Sequence, residues 1–182
     1  MKLLFASHGG RKMGGVFAFT LVELLVVIAI LGILATLLVP EMSTIRERAE
    51  KVICISHLRS LHVSLGAYLN DNDGVWPQCP DEAEGAAAEQ FWFDALKDYG
   101  GDPNIWLCPT LVRQLGADFA TNADAPKMHY TPTQFDDNPM TPRKWAGQPW
   151  LIEIGDMHHC GNLMIRTDGA VQSLSDALQN AQ

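Results

Sequence analysis

Basic residues are scarce in this 182-residue sequence: 13 Lys and Arg stand against 21 Asp and Glu, a formal net charge of −8. Phosphate-rich partners are held by clustered Lys and Arg, so the shortage argues against nucleic acid. Long apolar runs are absent with one exception, which excludes a polytopic membrane protein, and 47% hydrophobic residues exclude a disordered chain. Acid is missing altogether from residues 1–18, which hold Lys2, Arg11 and Lys12, whereas residues 19–182 hold 10 bases and 21 acids and carry −11.

The exception is Val16–Val39, where 20 of 24 residues are hydrophobic. As a helix it spans roughly 36 Å, enough to cross a bilayer core of about 30 Å. A signal peptide has a shorter apolar core, of about 7–15 residues, followed by a small-x-small cleavage site. This run instead ends Leu37-Leu-Val-Pro40-Glu41, with no such site. The basic stretch ahead of it stays on the cytoplasmic side by the positive-inside bias, leaving the acidic bulk outside. One charge interrupts the run, Glu23. A charge inside a span costs on the order of 2.5–3.5 kcal/mol on insertion scales. No basic partner lies within the span, so neutralisation comes from protonation, another chain, or an amine freed by processing. A new amine at Phe19, four residues upstream, predicts cleavage between Ala18 and Phe19.

Phe19-Thr20-Leu21-Val22-Glu23-Leu24-Leu25 resembles the mature N-terminus of type IV pilins and type II secretion pseudopilins. The resemblance implies that a prepilin peptidase/methyltransferase removes residues 1–18 as a leader and N-methylates Phe19. In that family the mature helix keeps Glu at its fifth position and often Pro at its twenty-second, which are Glu23 and Pro40 counted from Phe19. The family usually has Gly before the cut where this chain has Ala18; a cut after Gly15 would lose both registers. The implied fold is α+β and pilin-like: a long bent N-terminal helix, membrane-spanning in its first half, against a small antiparallel sheet. The implied organisation is a transmembrane or filament-core helix over 19–42, an amphipathic continuation over 43–70 and a periplasmic or extracellular head over 71–182. The implied partners are the lipid bilayer before assembly, other pilin or pseudopilin subunits, and an inner-membrane assembly platform. Glu23 then meets the Phe19 amine of a neighbour and marks register. The implied place is the inner membrane, single-pass, and later a filament; no cofactor is expected.

Past Pro40 the pattern becomes one-sided: Ile45, Ala49, Val52, Ile55, Leu58, Leu61, Leu65 and Tyr68 recur at steps of three and four. Asn70-Asp71-Asn72-Asp73-Gly74 predicts the helix end, and Pro40 predicts a bend or loosening. Asp71-x-Asp73-Gly74 invites calcium, but an EF-hand loop puts Gly sixth and here it is fourth, so a capped turn is expected. A second helix is predicted over 82–99, a strand over 105–109, a Pro-rich meander over 111–149 with a short strand at 128–131, and strands over 150–154, 162–166 and 170–174 about the turn Asp168-Gly169. The segments Cys54–Pro77 and Ile105–Pro109 resemble a prepilin-processing-associated subgroup, whose C-terminal His-x9-Asp-Gly motif corresponds to His158, Asp168 and Gly169.

Four cysteines suit an oxidising compartment and allow three complete pairings. Cys79 and Cys108, both beside Pro, form the first candidate pair; Cys54 with Cys160, or free thiols, remain open. His158-His159-Cys160, with Asp156 nearby, poses the alternative of a membrane-anchored periplasmic enzyme or metal-binding protein. Zinc needs three or four converging ligands, whereas adjacent histidines in a strand point to opposite faces. The expectation is therefore no metal there and a structural hydrogen bond for His158.

Overall fold

The computed structural model describes residues 19–116, 119, 122, 125–159 and 161–179. The chain divides into two compact units, one up to Met42 and one from Ser43 onward. Helix α1, Leu21–Asp71, contributes to both, and its backbone is helical through Pro40.

In the first unit α1 is apolar on every face, and Phe19, Leu21, Val22, Leu24, Ile28, Leu31 and Ile33 are all exposed. In the second unit the three-and-four spacing takes effect from Cys54 onward: Cys54, Leu58, Leu61, Leu65 and Leu69 form a buried stripe, whereas Ile45, Ala49 and Val52, expected on the apolar face, are exposed. By length and composition Met42–Asp71 is itself apolar enough to span a membrane. That buried stripe and the charged Arg46, Glu47, Arg48, Glu50 and Lys51 mark it instead as the core helix of the head. The helix stops as the turn residues predict. Asn72 donates its backbone N–H and its side-chain amide to the Tyr68 carbonyl, and Gly74 N–H reaches the Leu69 carbonyl at 2.7 Å. Asp73 and Gly74 take left-handed φ of 53° and 85°, so the Asp71–Gly74 cluster closes a helix.

The head core is aromatic. Trp76 lies edge-on to Trp92, Phe135 and Trp150, with ring centroids 6.3, 4.8 and 5.3 Å away. Helix α2, Ala86–Leu96, supplies Trp92 and Leu96 and passes into a 3-10 turn at Lys97–Tyr99. The segment expected as a strand over 105–109 joins no sheet: Ile105 and Trp106 end a 3-10 turn, Leu107 and Cys108 are extended, and Pro109 opens a helix. Asp102 caps a 3-10 turn at Pro103–Trp106 by accepting from Asn104 N–H, and Cys108 is the extended N-cap of helix α3, Pro109–Leu115. Proline at the first helical position explains the change: its missing N–H costs a helix start nothing but would cost a sheet a ladder bond.

Strands β1 (Tyr130–Pro132), β2 (Pro149–Glu153), β3 (Leu163–Arg166) and β4 (Val171–Ser173) form one antiparallel sheet in the order β1-β2-β3-β4. The pairing sets Tyr130 opposite Glu153 and Leu163 opposite Ser173. A short helix α4, Leu174–Gln179, follows β4 and was not foreseen in the sequence. Between β3 and β4, Asp168 Oδ1 accepts from Ala170 N–H and Gly169, at φ 78°, completes the turn. A Cβ at Gly169 would stand 3.4 Å from the His62 ring on α1. His62 also bonds through Nε2 to the Thr167 carbonyl, so this turn is seated on the helix.

Candidate functional sites

Two places in the chain concentrate chemistry, one at the start of α1 and one where α1 meets the head. At the start, Thr20 and Glu23 cap each other. Thr20 N–H and Thr20 Oγ1 both donate to Glu23 Oε2 at 2.9 Å, and Glu23 N–H donates to Thr20 Oγ1 at 3.2 Å. This is a capping box, with Thr as N-cap and Glu three residues on. The Thr20-x-x-Glu23 spacing is the sequence signature of such a box and gives Glu23 a local partner besides the charge it lacks within the span. The carboxylate thus also ends its own helix, while Phe19 stays exposed beside it. Ala18 and the leader lie outside the described residues.

In the head, four groups from four segments converge. Cys54 comes from the buried stripe of α1, Cys108 from the N-cap of α3, Glu153 from the end of β2, and His158 from the turn after β2. Their ligand atoms all lie within 4.8 Å of one another. Cys54 Sγ and Cys108 Sγ are 2.8 Å apart, Cys108 Sγ and His158 Nε2 3.7 Å, and His158 Nε2 and Glu153 Oε1 3.3 Å. The Glu153 side chain is fully buried and that of His158 is 2% exposed.

Backbone clamps hold Cys108 in place. His57 on α1 bonds the Leu107 carbonyl through Nδ1 at 2.9 Å. His129 Nδ1 accepts from Cys108 N–H at 2.8 Å, which leaves Nε2–H to donate to the Pro126 carbonyl. Burial lowers the His129 pKa, in keeping with a neutral structural imidazole. Farther along α1, Glu50 accepts from Arg113, Arg46 and Thr110. The Arg113 guanidinium, ahead of an opposing burial effect and with Arg46 and Thr110 adding to it, brings the Glu50 carboxyl down to about 2.

The four-group cluster has uneven electrostatics. Hydrogen bonding to Cys108, then burial, pushes the Cys54 thiol up, and the same contact from Cys54, against burial and with help from His158, pulls Cys108 down. Burial raises Glu153 and Tyr130. For His158 burial acts downward, but Cys108 and Glu153 outweigh it and hold the imidazole at about 9. A nucleophile–base–acid relay needs the two ring nitrogens to face different partners. Here Nε2 faces both Cys108 and Glu153, so the arrangement is not such a relay.

The structure redistributes the residues singled out in the sequence. Cys79 does not pair with Cys108: it is a separate buried thiol, and Cys108 faces Cys54. Flanking prolines say how the chain turns, whereas the N-cap position of Cys108 decides that it faces α1. His158 leaves its sequence neighbours. His159 sits at φ 53°, Asp156 accepts from Gly161 N–H, and Cys160 lies outside the described residues. The two ends of His-x9-Asp-Gly act apart, His158 in the thiol cluster and Asp168-Gly169 in the turn against His62. Glu153 was missed. It shares a face with the fully buried Leu151, two residues earlier on an otherwise apolar strand, so an acid at an inward-facing position was the available signal.

Residues 15–39 match the prokaryotic N-terminal methylation motif. The chain is 39% identical over 69 residues to type II secretion system core protein G of Pectobacterium carotovorum subsp. carotovorum, covering 38% of this chain and 42% of that protein. It is 44% identical over 54 residues to core protein G of Dickeya chrysanthemi and 43% over 54 residues to that of Escherichia coli strain K12, covering 30% of this chain and 35% and 37% of those proteins. The chain thus matches well under half the length of these curated relatives. No solved structure shows a significant match.

Proposed function

We infer the role of this chain from one premise: by its N-terminal segment it belongs to the type IV pilin-like family, which includes the pseudopilins. It is a structural subunit, a pseudopilin or minor pilin, that builds a filament of the type II secretion or type IV pilus kind and turns over no substrate. Residues 1–18 are a leader, cut between Ala18 and Phe19 by a prepilin peptidase that also methylates Phe19. Residues 19–42 anchor the subunit in the inner membrane and then enter the filament core. Residues 43–70 continue the helix, and 71–182 form the head on the periplasmic side. Its partners are that peptidase, an assembly platform in the inner membrane, the bilayer, and other subunits of its kind.

The observation that carries this reading is the unburied apolar surface of α1. Phe19 to Leu34 leave large hydrophobic side chains 46–79% exposed. A surface of that kind is a membrane or protein contact. Lipid covers it before extraction and neighbouring subunits cover it afterwards. Glu23 then sits where a neighbour's Phe19 amine can meet it in a dry interior, with one oxygen already engaged by Thr20. A photo-cross-linking residue at Val27, in cells with the assembly machinery, should give ladders of this subunit. Adducts to lipid alone, unchanged when the machinery is removed, would contradict filament assembly.

A further inference from the structure

We propose that Cys54, Cys108, Glu153 and His158 form a zinc site, one ion per chain, that staples the head onto α1. The donor set is the first ground. Two thiols, an imidazole and a carboxylate are the ligand types zinc takes, and four of them suffice for a closed tetrahedral site. With Zn–S near 2.3 Å and Zn–N or Zn–O near 2.0–2.2 Å, tetrahedral ligand atoms stand roughly 3.3–3.8 Å apart. The imidazole–carboxylate and imidazole–thiol separations of 3.3 and 3.7 Å fall in that range. The two sulfurs, at 2.8 Å, part by about 1 Å to share the ion.

The second ground is an unmet need. Glu153 Oε1 is completely buried and faces this cluster; His158 Nε2 stands 3.3 Å from it, but no hydrogen bond of proper geometry reaches it. A carboxylate in an apolar core calls for a cation or a full set of donors. Its other oxygen has only a 3.4 Å contact from Leu163 N–H. Tyr130, opposite Glu153 in the sheet, also leaves its buried hydroxyl unpartnered. A divalent ion offsets two of the three negative charges that two thiolates and a carboxylate bring, and each Cys proton leaves to solvent as the Zn–S bond forms. His158 lines a surface cleft with Thr44, Glu47, Arg48, Lys51 and Met157, which gives an ion a route in.

The staple joins residues 54, 108, 153 and 158, so it ties α1 and the N-cap of α3, which the sheet does not pair with, to the end of β2. It is independent of the filament reading, since it concerns the head alone.

The test uses the full chain, purified in detergent under reducing conditions and stripped with chelator. Zinc added alone should bind at one equivalent per chain and raise the melting temperature, and EDTA should reverse both. Cobalt added in its place should give thiolate-to-cobalt charge-transfer absorption with tetrahedral ligand-field bands. Cys108→Ser and His158→Ala should each weaken zinc binding by at least about 100-fold, beyond the 10–100-fold seen for outer-shell changes. Cys79→Ser should leave binding unchanged. No zinc bound by the wild-type chain, an octahedral cobalt spectrum without thiolate bands, or a Cys54–Cys108 disulfide in protein isolated without reductant would each overturn the proposal. The wild-type measurements decide the matter even where a variant fails to fold.

Discussion

The two parts of α1 run on as one helix and behave in opposite ways. In the first, Ile30 is 52% and Leu31 58% exposed; in the second, Leu58 and Leu61 are fully buried. Both hold apolar stretches long enough to pass for a membrane helix, but the charges gather in the second, at Arg46, Glu47, Arg48, Glu50, Lys51 and Arg59. Spacing separates them too: all-round apolar sequence has no face to give to water, while a stripe at three-and-four spacing has one face for a core and others for Arg48, Lys51 and Arg59. One helix therefore serves two solvents. Its second part is stabilised within the chain, and its first leaves an apolar surface uncovered, which in the proposed role lipid or other subunits would cover.

The sharpest way to break that contrast is at Glu23, the one charge within the apolar run Val16–Val39. Glu23→Ala should disrupt filament assembly, since removing one partner of a buried ion pair costs about 3–5 kcal/mol. Membrane insertion and head stability should be unaffected, as read by sedimentation of filaments against urea melts of the head. Next comes the same kind of truncation on either part. Leu61→Ala should destabilise the head by about 2–5 kcal/mol. Ile30→Ala should shift head stability by less than about 0.5 kcal/mol, and reduce only assembly.

A smaller effect is expected from acid. Glu50 falls from an ordinary 4.5 to about 2 in the folded head. A depressed carboxyl stabilises above its unfolded pKa and loses that contribution as pH drops toward its folded value. The loss should fall between about pH 4.5 and 2 and amount to about 1–2 kcal/mol, discounted because Arg46 and Arg113 remain partly in water. In Glu50→Gln that pH-dependent component should be missing from denaturation midpoints. Smallest is Thr20→Ala, which removes the cap of α1 and should cost about 1 kcal/mol. It should show as faster amide exchange in the first turn while the head is unchanged.

How much of this could be read in the sequence follows the same division. The long helix, its stop at Asn72–Gly74, the three C-terminal strands and the turn at Asp168-Gly169 each carry a local signal, periodicity or turn chemistry, and the structure has them within a residue or two. The segment around Cys108 misled because an apolar stretch ending in Cys-Pro fits a strand end as well as a helix start. Only the packing of Leu107 and Cys108 against His57 and His129 decides between them. The thiol–imidazole–carboxylate cluster was half legible. His158 and Cys108 were singled out, but with the wrong companions, because Cys54, Cys108 and His158 lie 50 or more residues from one another and leave no spacing to read. Glu153 shows what does remain visible, an acid where the strand alternation demands an apolar residue.

The start of the mature chain decides whether Glu23 can play its assembly role. Intact-mass and N-terminal peptide analysis of the protein from cells that contain prepilin peptidase should find a chain starting at N-methylated Phe19. An intact leader, or a start that puts Glu23 at any position other than the fifth, would contradict that role.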